Sequence, residues 1–179
     1  MKSLLLHTCC APCTSYVYRL LSEDYNVTCF FYNPNIAPAL EYNKRLDELL
    51  RYSKEAGFPV IAGDYDARQW TLSAKKYRHL GERSARCFEC YRYRLEATFR
   101  EAVMAGADIV TTSLSISPLK DAKMINKIGK ELQEEFGIEF MEADFKKKDG
   151  YKKSVELSKS HGFYRQNYCG CIYSKMERG

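Results

Sequence analysis

Short apolar runs and longer amphipathic runs alternate along most of this sequence. The apolar runs are rich in leucine, β-branched and aromatic residues, and they predict strands at 2–7, 27–32, 59–62 and 108–112, with a weaker fifth at 139–144. Between them, apolar residues spaced three and four apart predict helices at about 13–23, 39–56, 67–80, 87–105 and 121–136. This alternation favours an α/β fold with a parallel, Rossmann-like sheet and helices on both faces.

Three polar loops follow the first, second and fourth predicted strands: "HTCCAPCTS", "NPNIAP" and "TSLSISPLK". Because ligands bind at the carboxyl ends of strands in open α/β sheets, we expect these loops to form one functional edge. Neither a GxGxxG motif nor a serine- and glycine-rich phosphate loop is present. The sequence therefore gives no support for a bound nicotinamide or flavin, and it disfavours an ATP-dependent enzyme.

The bulk composition fits a packed globular protein. The chain has 179 residues, of which 45% are hydrophobic, and no internal repeat or long linker interrupts it, so we predict a single domain over 1–179. No apolar run reaches the roughly 18 to 20 residues of a membrane span, so no membrane partner is expected. The N-terminal residues lack a signal-peptide layout, and we expect a cytoplasmic protein.

Eight cysteines are clustered rather than scattered. Cys29 stands alone in an apolar run and is predicted to be a small buried residue. Disulfides are rare in a reducing cytosol, so the clusters favour metal binding over disulfide exchange. The tail at 160–179, which shows no periodicity, is expected to pack on the metal site through its cysteines. The other seven cysteines lie in three segments: Cys9, Cys10 and Cys13; Cys87 and Cys90; Cys169 and Cys171.

Local spacing suits each group to share a metal. Cys87 and Cys90 are three apart at the start of a predicted helix, so they share a face. Gly170 allows the backbone to turn between Cys169 and Cys171. Pro12 suits the first turn of a helix whose dipole favours thiolates nearby. Six or seven thiolates exceed the four that one structural zinc takes, and they fit an iron–sulfur cluster, alone or beside a second metal ion.

The net charge of +5 is concentrated in 75–100, which holds eight Lys or Arg and three Glu among several tyrosines. Such a segment is typical of nucleic-acid binding, although a solvated helix face shows the same pattern. Other polar residues on the predicted edge, or in the tail that we expect to reach it, are candidates for substrate binding: Asn33, Asn35, Arg45, Lys120, Arg165 and Gln166.

Five motifs taken together resemble the QueH type of epoxyqueuosine reductase: "HTCCAPC", "FYNPNIAPALEYNKR", "RCFECYRYRLEAT", "TTSLSISPLK" and "YRQNYCGCIYS". The resemblance implies a fold of the nucleotide α-hydrolase-like (HUP) group. It also implies reduction of epoxyqueuosine in tRNA to queuosine at a 4Fe-4S cluster beside a second metal ion, iron or zinc, with electrons from an external donor. The metal set that it implies is Cys9, Cys10, Cys87, Cys90, Cys169 and Cys171, with Cys13 as a further possible ligand.

Within that reaction we assign candidate roles by position. His7, Tyr32 and Asp144 fall at predicted strand ends and are candidate proton donors. Tyr164 and Arg165 are candidates to hold an extruded base, and 75–100 to hold tRNA phosphates. Two alternatives stay open: a thiol-redox or sulfur-transfer enzyme that uses Cys87 and Cys90, and an RNA-binding module stapled by zinc.

Overall fold

A computed structural model describes residues 1–179, and its centre is one parallel sheet. The five strands lie in the order β3-β2-β1-β4-β5, and every neighbouring pair is parallel. The α/β prediction is confirmed. The strands are β1 (Ser3–Thr8), β2 (Asn26–Phe31), β3 (Val60–Ala62), β4 (Ile109–Thr112) and β5 (Glu139–Phe140).

Seven α-helices connect and flank the strands, and none of them is long and apolar enough to cross a membrane. Two short 3-10 turns, Lys75–Tyr77 and Ser113–Ile116, follow α3 and β4. The helices are α1 (Ala11–Leu21), α2 (Ala39–Ala56), α3 (Ala67–Ala74), α4 (Ala85–Ala105), α5 (Ala122–Phe136), α6 (Gly150–His161) and α7 (Ile172–Glu177).

Each face of the sheet has its own hydrophobic core, because successive side chains of a strand point to opposite faces. Leu4 and Leu6 of β1 pack with residues of α1 and α2 in one core. Leu5, between them, packs in the other core with residues of α4 and α5. The helices therefore lie on both faces, and the doubly wound architecture is confirmed.

Three expectations about local structure were wrong. The fifth strand is confined to Glu139–Phe140 instead of 139–144, because the chain leaves the sheet after Met141, whose N–H makes a last bond to Val110 and whose carbonyl accepts from the Thr111 hydroxyl. The helix predicted at 67–80 ends at Ala74 and tightens into a 3-10 turn. The segment after 144 and the tail contain α6 and α7, which the weak apolar periodicity did not predict.

The sheet register brings the functional loops together. Thr8 of β1 pairs with Phe31 of β2, and His7 pairs with Thr112 of β4, so three strands end at nearly the same level. The loop with Cys9 and Cys10, the loop after β2 and the turn after β4 leave the sheet side by side. This edge positions the site.

Candidate metal centre and adjoining cavity

The first cysteine group sits where β1 gives way to α1. The sulfur atoms of Cys9, Cys10 and Cys13 lie within 4.8 Å of one another, and those of Cys9 and Cys10 are 3.8 Å apart. Cys10 is the N-cap of α1, and its sulfur accepts the backbone N–H of Cys13. Pro12 lies in the first helical turn, as predicted. The loop therefore presents three sulfurs at a helix N-terminus.

The three thiols of this group differ in how readily they lose a proton. The pKa of Cys9 is held well below its usual range, because the Cys10 and Cys13 thiols donate to its sulfur and the cations of Lys120 and Arg94 lie near. The same competition raises the pKa of Cys10 to about 12 and holds that of Cys13 well above its usual range. Within this group the bias towards thiolate therefore falls on Cys9, and the neighbouring thiols and cations cause it. A bound metal cation would supply positive charge, which would allow all three thiols to be deprotonated together.

The second group joins α4 to the tail. Cys87 and Cys90 from α4, with Cys169 and Cys171, line one small cavity of about 20 Å³. The sulfurs of Cys169 and Cys171 are 3.8 Å apart. Gly170 between them has φ +130°, a conformation that other residues rarely adopt, so the predicted backbone turn is confirmed. Four cysteines from two distant segments thus line one cavity.

Backbone anchors fix the tail over α2 on one side. The buried guanidinium of Arg45 donates to the carbonyl oxygens of Cys169 (2.9 Å) and Tyr168 (3.2 Å), and it is paired with Glu41 at 2.9 Å. The Gly170 carbonyl accepts the N–H of Ala37 at 2.8 Å. Arg45 was predicted to bind substrate, but all of these contacts are to the protein. It positions the cysteine tail.

On the other side, ion pairs tie α7 to the start of α4 and the loop before it. Arg86 is buried, and its Nη2 lies 3.1 Å from Glu177. Glu82 pairs with Arg178 at 2.7 Å and accepts the Ser174 hydroxyl at 2.8 Å. The tail is therefore held at both ends across the cysteines.

Most sulfurs accept a hydrogen bond from a nitrogen. The Gln166 amide reaches Cys10 at 3.2 Å, and the N–H of Arg83 reaches Cys87 at 3.3 Å. The indole of Trp70 donates to Cys90 at 3.3 Å, and Ser174 N–H to Cys171 at 3.3 Å. N–H donors aimed at sulfur stabilise thiolates and tune metals bound to them. The donor set fits an iron–sulfur cluster or zinc.

Lys120 joins the two groups. It is buried and lines both the small cavity and a larger one, together with Cys169. Burial alone would lower the pKa of its ammonium, but the nearby sulfurs of Cys169 and Cys9, and to a smaller extent Cys13, outweigh burial and raise it. Lys120 therefore remains a cation between the cysteine groups.

The larger cavity, of about 230 Å³, opens beside the first cysteine group. Cys9, Cys13 and Cys169 contribute thiols to its wall, and Ser117 to Lys120 and the inner side of α6 complete it. Arg165 and Gln166, two of the predicted substrate-binding residues, also line it. This cavity brings thiols and Lys120 together in one wall, and it is larger than the small cavity that Lys120 also lines.

The three candidate proton donors lie away from this cavity. His7 is fully buried, bonded to Thr112 Oγ1 and the Tyr32 carbonyl, and burial lowers its pKa to about 4, so the ring is neutral near pH 7. Tyr32 stacks on Phe30, and burial raises its pKa. Asp144 follows the shortened β5 and pairs with Lys146 at 3.1 Å. None of the three lines the cavity.

Other predicted contacts are also engaged within the protein. Asn33 is buried, donates to the Thr8 carbonyl at 2.8 Å and accepts from Arg94 at 3.3 Å. Asn35 is buried beside Gly170, and its side-chain oxygen has no hydrogen-bond partner. The Tyr164 ring is covered by the Lys44 ammonium at 3.5 Å, and its hydroxyl donates to Glu41. None of these three residues lines the larger cavity.

Only some of the cations in the basic segment 75–100 are exposed and without a salt bridge. Arg86 and Arg94 are buried near the cysteines. Arg92 pairs with Glu131 and Glu135 of α5, and Arg100 pairs with Glu96. The exposed cations that form no salt bridge lie at its start: Lys75, Lys76, Arg78 and Arg83. The surface available to phosphates from this segment is therefore smaller than the sequence indicates.

Comparison with known proteins decides the family. A family model described as "Epoxyqueuosine reductase QueH" matches residues 4–177. The chain belongs to the QueH family. "Epoxyqueuosine reductase QueH" of Thermotoga maritima is 39% identical over 99% of this chain and 93% of its own. The protein of the same name from Haemophilus influenzae is 39% identical over 97% of this chain and 71% of its own. The resemblance drawn from the five motifs is confirmed.

A solved structure with low sequence identity to this chain shows the same fold. A predicted subunit of a tRNA methyltransferase from Methanocaldococcus jannaschii superposes with a TM-score of 0.57, at 11% identity over 92% of this chain and 93% of that one. At that identity the likeness concerns the fold alone. The QueH match, by contrast, spans all seven clustered cysteines and the cavity.

Sequence reasoning missed three residues of this QueH site. Trp70 and Arg94 contact the second cysteine group and its surroundings, and Tyr151 of α6 lines the larger cavity. Trp70 is the only tryptophan of the chain, but nothing in its spacing connects it with cysteines twenty residues away. Arg94 was counted as part of a basic surface. Tyr151 lies in a helix that was not predicted.

Proposed function

We propose that this chain reduces epoxyqueuosine in tRNA to queuosine, removing the epoxide oxygen as water. One observation carries the proposal: in a QueH-family chain, seven thiols from three segments form two groups, and three of these thiols line a cavity of about 230 Å³. The reaction consumes two electrons and two protons, breaks both C–O bonds of the epoxide and leaves a carbon–carbon double bond. An external electron donor supplies the electrons.

The cysteine groups support two metal sites. Cys87, Cys90, Cys169 and Cys171 give four thiolates, the number that a tetrahedral metal or a 4Fe-4S cluster takes. Cys9, Cys10 and Cys13 give three, which leaves one position of a four-coordinate metal without a protein ligand. Bound there, an iron–sulfur cluster and a second iron or zinc ion would supply single electrons and Lewis acidity.

The protein's own residues explain how the substrate is held. Lys120 is a buried cation in the cavity wall, so we assign its ammonium the hydrogen bond to the epoxide oxygen and the delivery of a proton to it. Negative charge develops on the epoxide oxygen as its first C–O bond breaks, and a buried ammonium stabilises that charge strongly until the oxygen is protonated. The tail and α6 form part of the cavity wall and so limit the access of bulk water to the reacting atoms.

The exposed cations Lys75, Lys76, Arg78 and Arg83 are placed to contact tRNA phosphates. Arg83 links this surface to the site, because its guanidinium donates to the Lys120 carbonyl at 3.4 Å and its backbone N–H reaches Cys87. The phosphates of the anticodon stem would thus lie within reach of the cavity mouth. Surface contacts of this kind position the RNA, whereas the cavity selects the modified nucleoside.

Anaerobic purification followed by assay tests this function. We expect a brown protein with broad absorption near roughly 400 nm and bound iron. With a chemical reductant it should convert epoxyqueuosine in tRNA to queuosine, seen by mass spectrometry of the nucleosides as loss of one oxygen. A colourless, iron-free preparation that binds tRNA with zinc alone and turns nothing over would support the RNA-binding module instead. Full activity in Cys169→Ser would support a thiol-redox enzyme that uses Cys87 and Cys90.

A further inference from the structure

A second basic cluster lies outside the segment that the sequence indicated. Residues 146–153, "KKKDGYKK", hold five lysines and one aspartate, and four of the lysines are exposed: Lys147, Lys148, Lys152 and Lys153. Apart from Asp144, which pairs with Lys146, no acidic side chain forms a salt bridge with any of them. The cluster therefore presents uncompensated positive charge.

A tight turn holds this cluster against the cavity wall. The ammonium of Lys146 donates to the Ser115 carbonyl at 2.7 Å and lies 3.5 Å from the carbonyl of Lys120, whose side chain lines the cavity. Gly150 is needed in the turn, because a Cβ there would lie 1.7 Å from the Phe145 carbonyl oxygen. The exposed lysines are thus carried on a fixed support next to the site.

The aromatic ring of Tyr151 lies next to the exposed lysines in the sequence and also lines the cavity that holds the thiols. Tyr151, at the start of α6, lines the cavity that contains Cys9 and Cys13, yet it is 41% exposed. Its hydroxyl lies 3.5 Å from the Arg165 guanidinium, which lines the same cavity. A large exposed ring at the mouth of a cavity, flanked by cations, is the arrangement with which proteins hold unpaired bases and their phosphates.

We propose that the turn before α6 and the first turn of α6 form the RNA clamp of this site. Tyr151 stacks on the base whose epoxide-bearing side chain occupies the cavity, and Lys147, Lys148 and Lys152 contact the phosphates that flank that nucleotide. The inference rests on the proposed function, and it adds the residues that hold the modified nucleotide and the side from which the RNA approaches. It also moves the stacking role from Tyr164, whose ring Lys44 covers, to Tyr151.

Lys153 provides a matched control within the cluster. Its ammonium lies 5.9 Å from the centre of the Tyr16 ring, in a groove that α6 forms with α1, and it does not line the cavity. A change at Lys153 removes the same charge from the same helical turn. If net charge alone attracted RNA, Lys153 and Lys152 would matter equally.

The test measures binding of an anticodon stem-loop that carries epoxyqueuosine to the anaerobic, metal-loaded protein at several salt concentrations. For the double variant Lys147→Gln/Lys148→Gln we expect at least about a tenfold weaker Kd near 0.1 M salt. We also expect the slope of log K against log salt to shrink by about 1.4, since each single-strand phosphate contact contributes about 0.7. Lys153→Gln should stay within about twofold of wild type.

Tyr151 is tested with two variants. Tyr151→Leu should weaken binding by about tenfold to a hundredfold, the loss of one stacked base, and Tyr151→Phe should restore most of it. Unchanged RNA binding in the double variant and in Tyr151→Leu would overturn the clamp, while epoxide reduction by the wild-type protein would leave the proposed function standing. Conversely, salt-sensitive binding that these variants weaken, without any turnover by wild type, would support the clamp and refute the reductase. Binding of anionic lipid vesicles that is stronger than RNA binding, and lost in the same variants, would also overturn it.

Discussion

The indole N–H of Trp70 donates to the sulfur of Cys90, with 3.3 Å between Nε1 and Sγ. Trp70 is buried in a small cluster with Cys90 and Cys171. It therefore contacts the second cysteine group, although it supplies no thiol itself. Burial raises the pKa of Cys90, and the indole works in the opposite direction. Trp70 is therefore expected to favour the thiolate that a metal requires.

Replacing Trp70 by phenylalanine removes this donor and keeps an aromatic ring. We expect metal affinity to fall by about tenfold to a hundredfold, as is typical when a hydrogen-bond partner of a metal ligand is lost. Competition with a chelator, followed anaerobically by absorbance and metal analysis, measures the change. Leu72→Ala, at an exposed position of the same helix, is the control. Equal metal retention in Trp70→Phe and Leu72→Ala would refute this role.

Arg45→Met should loosen the tail. The guanidinium joins Glu41 to two carbonyls of the tail, and its loss leaves these acceptors without a partner. We expect the free energy of unfolding to fall by about 2 to 4 kcal/mol, measured with urea. Arg51→Met, which removes an exposed pair with Glu48 from the same helix, should cost less than about 1 kcal/mol. Equal costs would show that the Arg45 contacts contribute little.

Lys120→Met distinguishes a role of Lys120 in the reaction from a role in metal binding. If the ammonium donates to the epoxide oxygen, we expect kcat to fall by about a hundredfold or more, while iron content stays near that of wild type. Lys123→Met, at an exposed position of α5, should behave as wild type. An unchanged kcat in Lys120→Met would remove Lys120 from the reaction. Loss of iron in this variant would assign it a structural role at the thiolates.

Cys29 lies apart from the two cysteine groups, so its replacement distinguishes the loss of a metal ligand from the loss of any thiol. Cys169→Ser and Cys10→Ser should each lower the iron bound per chain and reduce turnover by more than about a hundredfold, because each removes a sulfur from a converging group. Cys29→Ala removes a thiol buried in β2, and it should keep both the iron content and the activity. A loss in Cys29→Ala as large as in Cys169→Ser would contradict the assignment of the two groups.

Strong local patterns explain what the sequence could predict. β1, β2 and β4 are buried apolar runs, and pairing of the cysteines by three residues or across Gly170 is a local property, so both were predictable. The family followed from five motifs in order. In contrast, α6 has three lysines and three serines among few apolar residues, and its amphipathic pattern is correspondingly weak.

The division of labour among charged residues could not be predicted, because it depends on contacts far apart in the sequence. Arg45 meets the tail more than 120 residues away, and Arg86 meets Glu177. Arg45 was predicted to bind substrate and Arg86 to belong to a basic surface segment, yet both are buried and bonded within the protein. The separation of the cysteines into one group of three and one of four, with Lys120 between them, is a tertiary property of the same kind.

Expression of this chain in a bacterial host that lacks every epoxyqueuosine reductase tests the central claim most directly. Such a host accumulates epoxyqueuosine in its tRNA, and digestion followed by mass spectrometry quantifies both nucleosides. We expect the wild-type chain to replace epoxyqueuosine by queuosine, and Cys169→Ser, expressed at the same level, not to do so. Epoxyqueuosine that persists with the soluble, iron-loaded wild-type chain would contradict it.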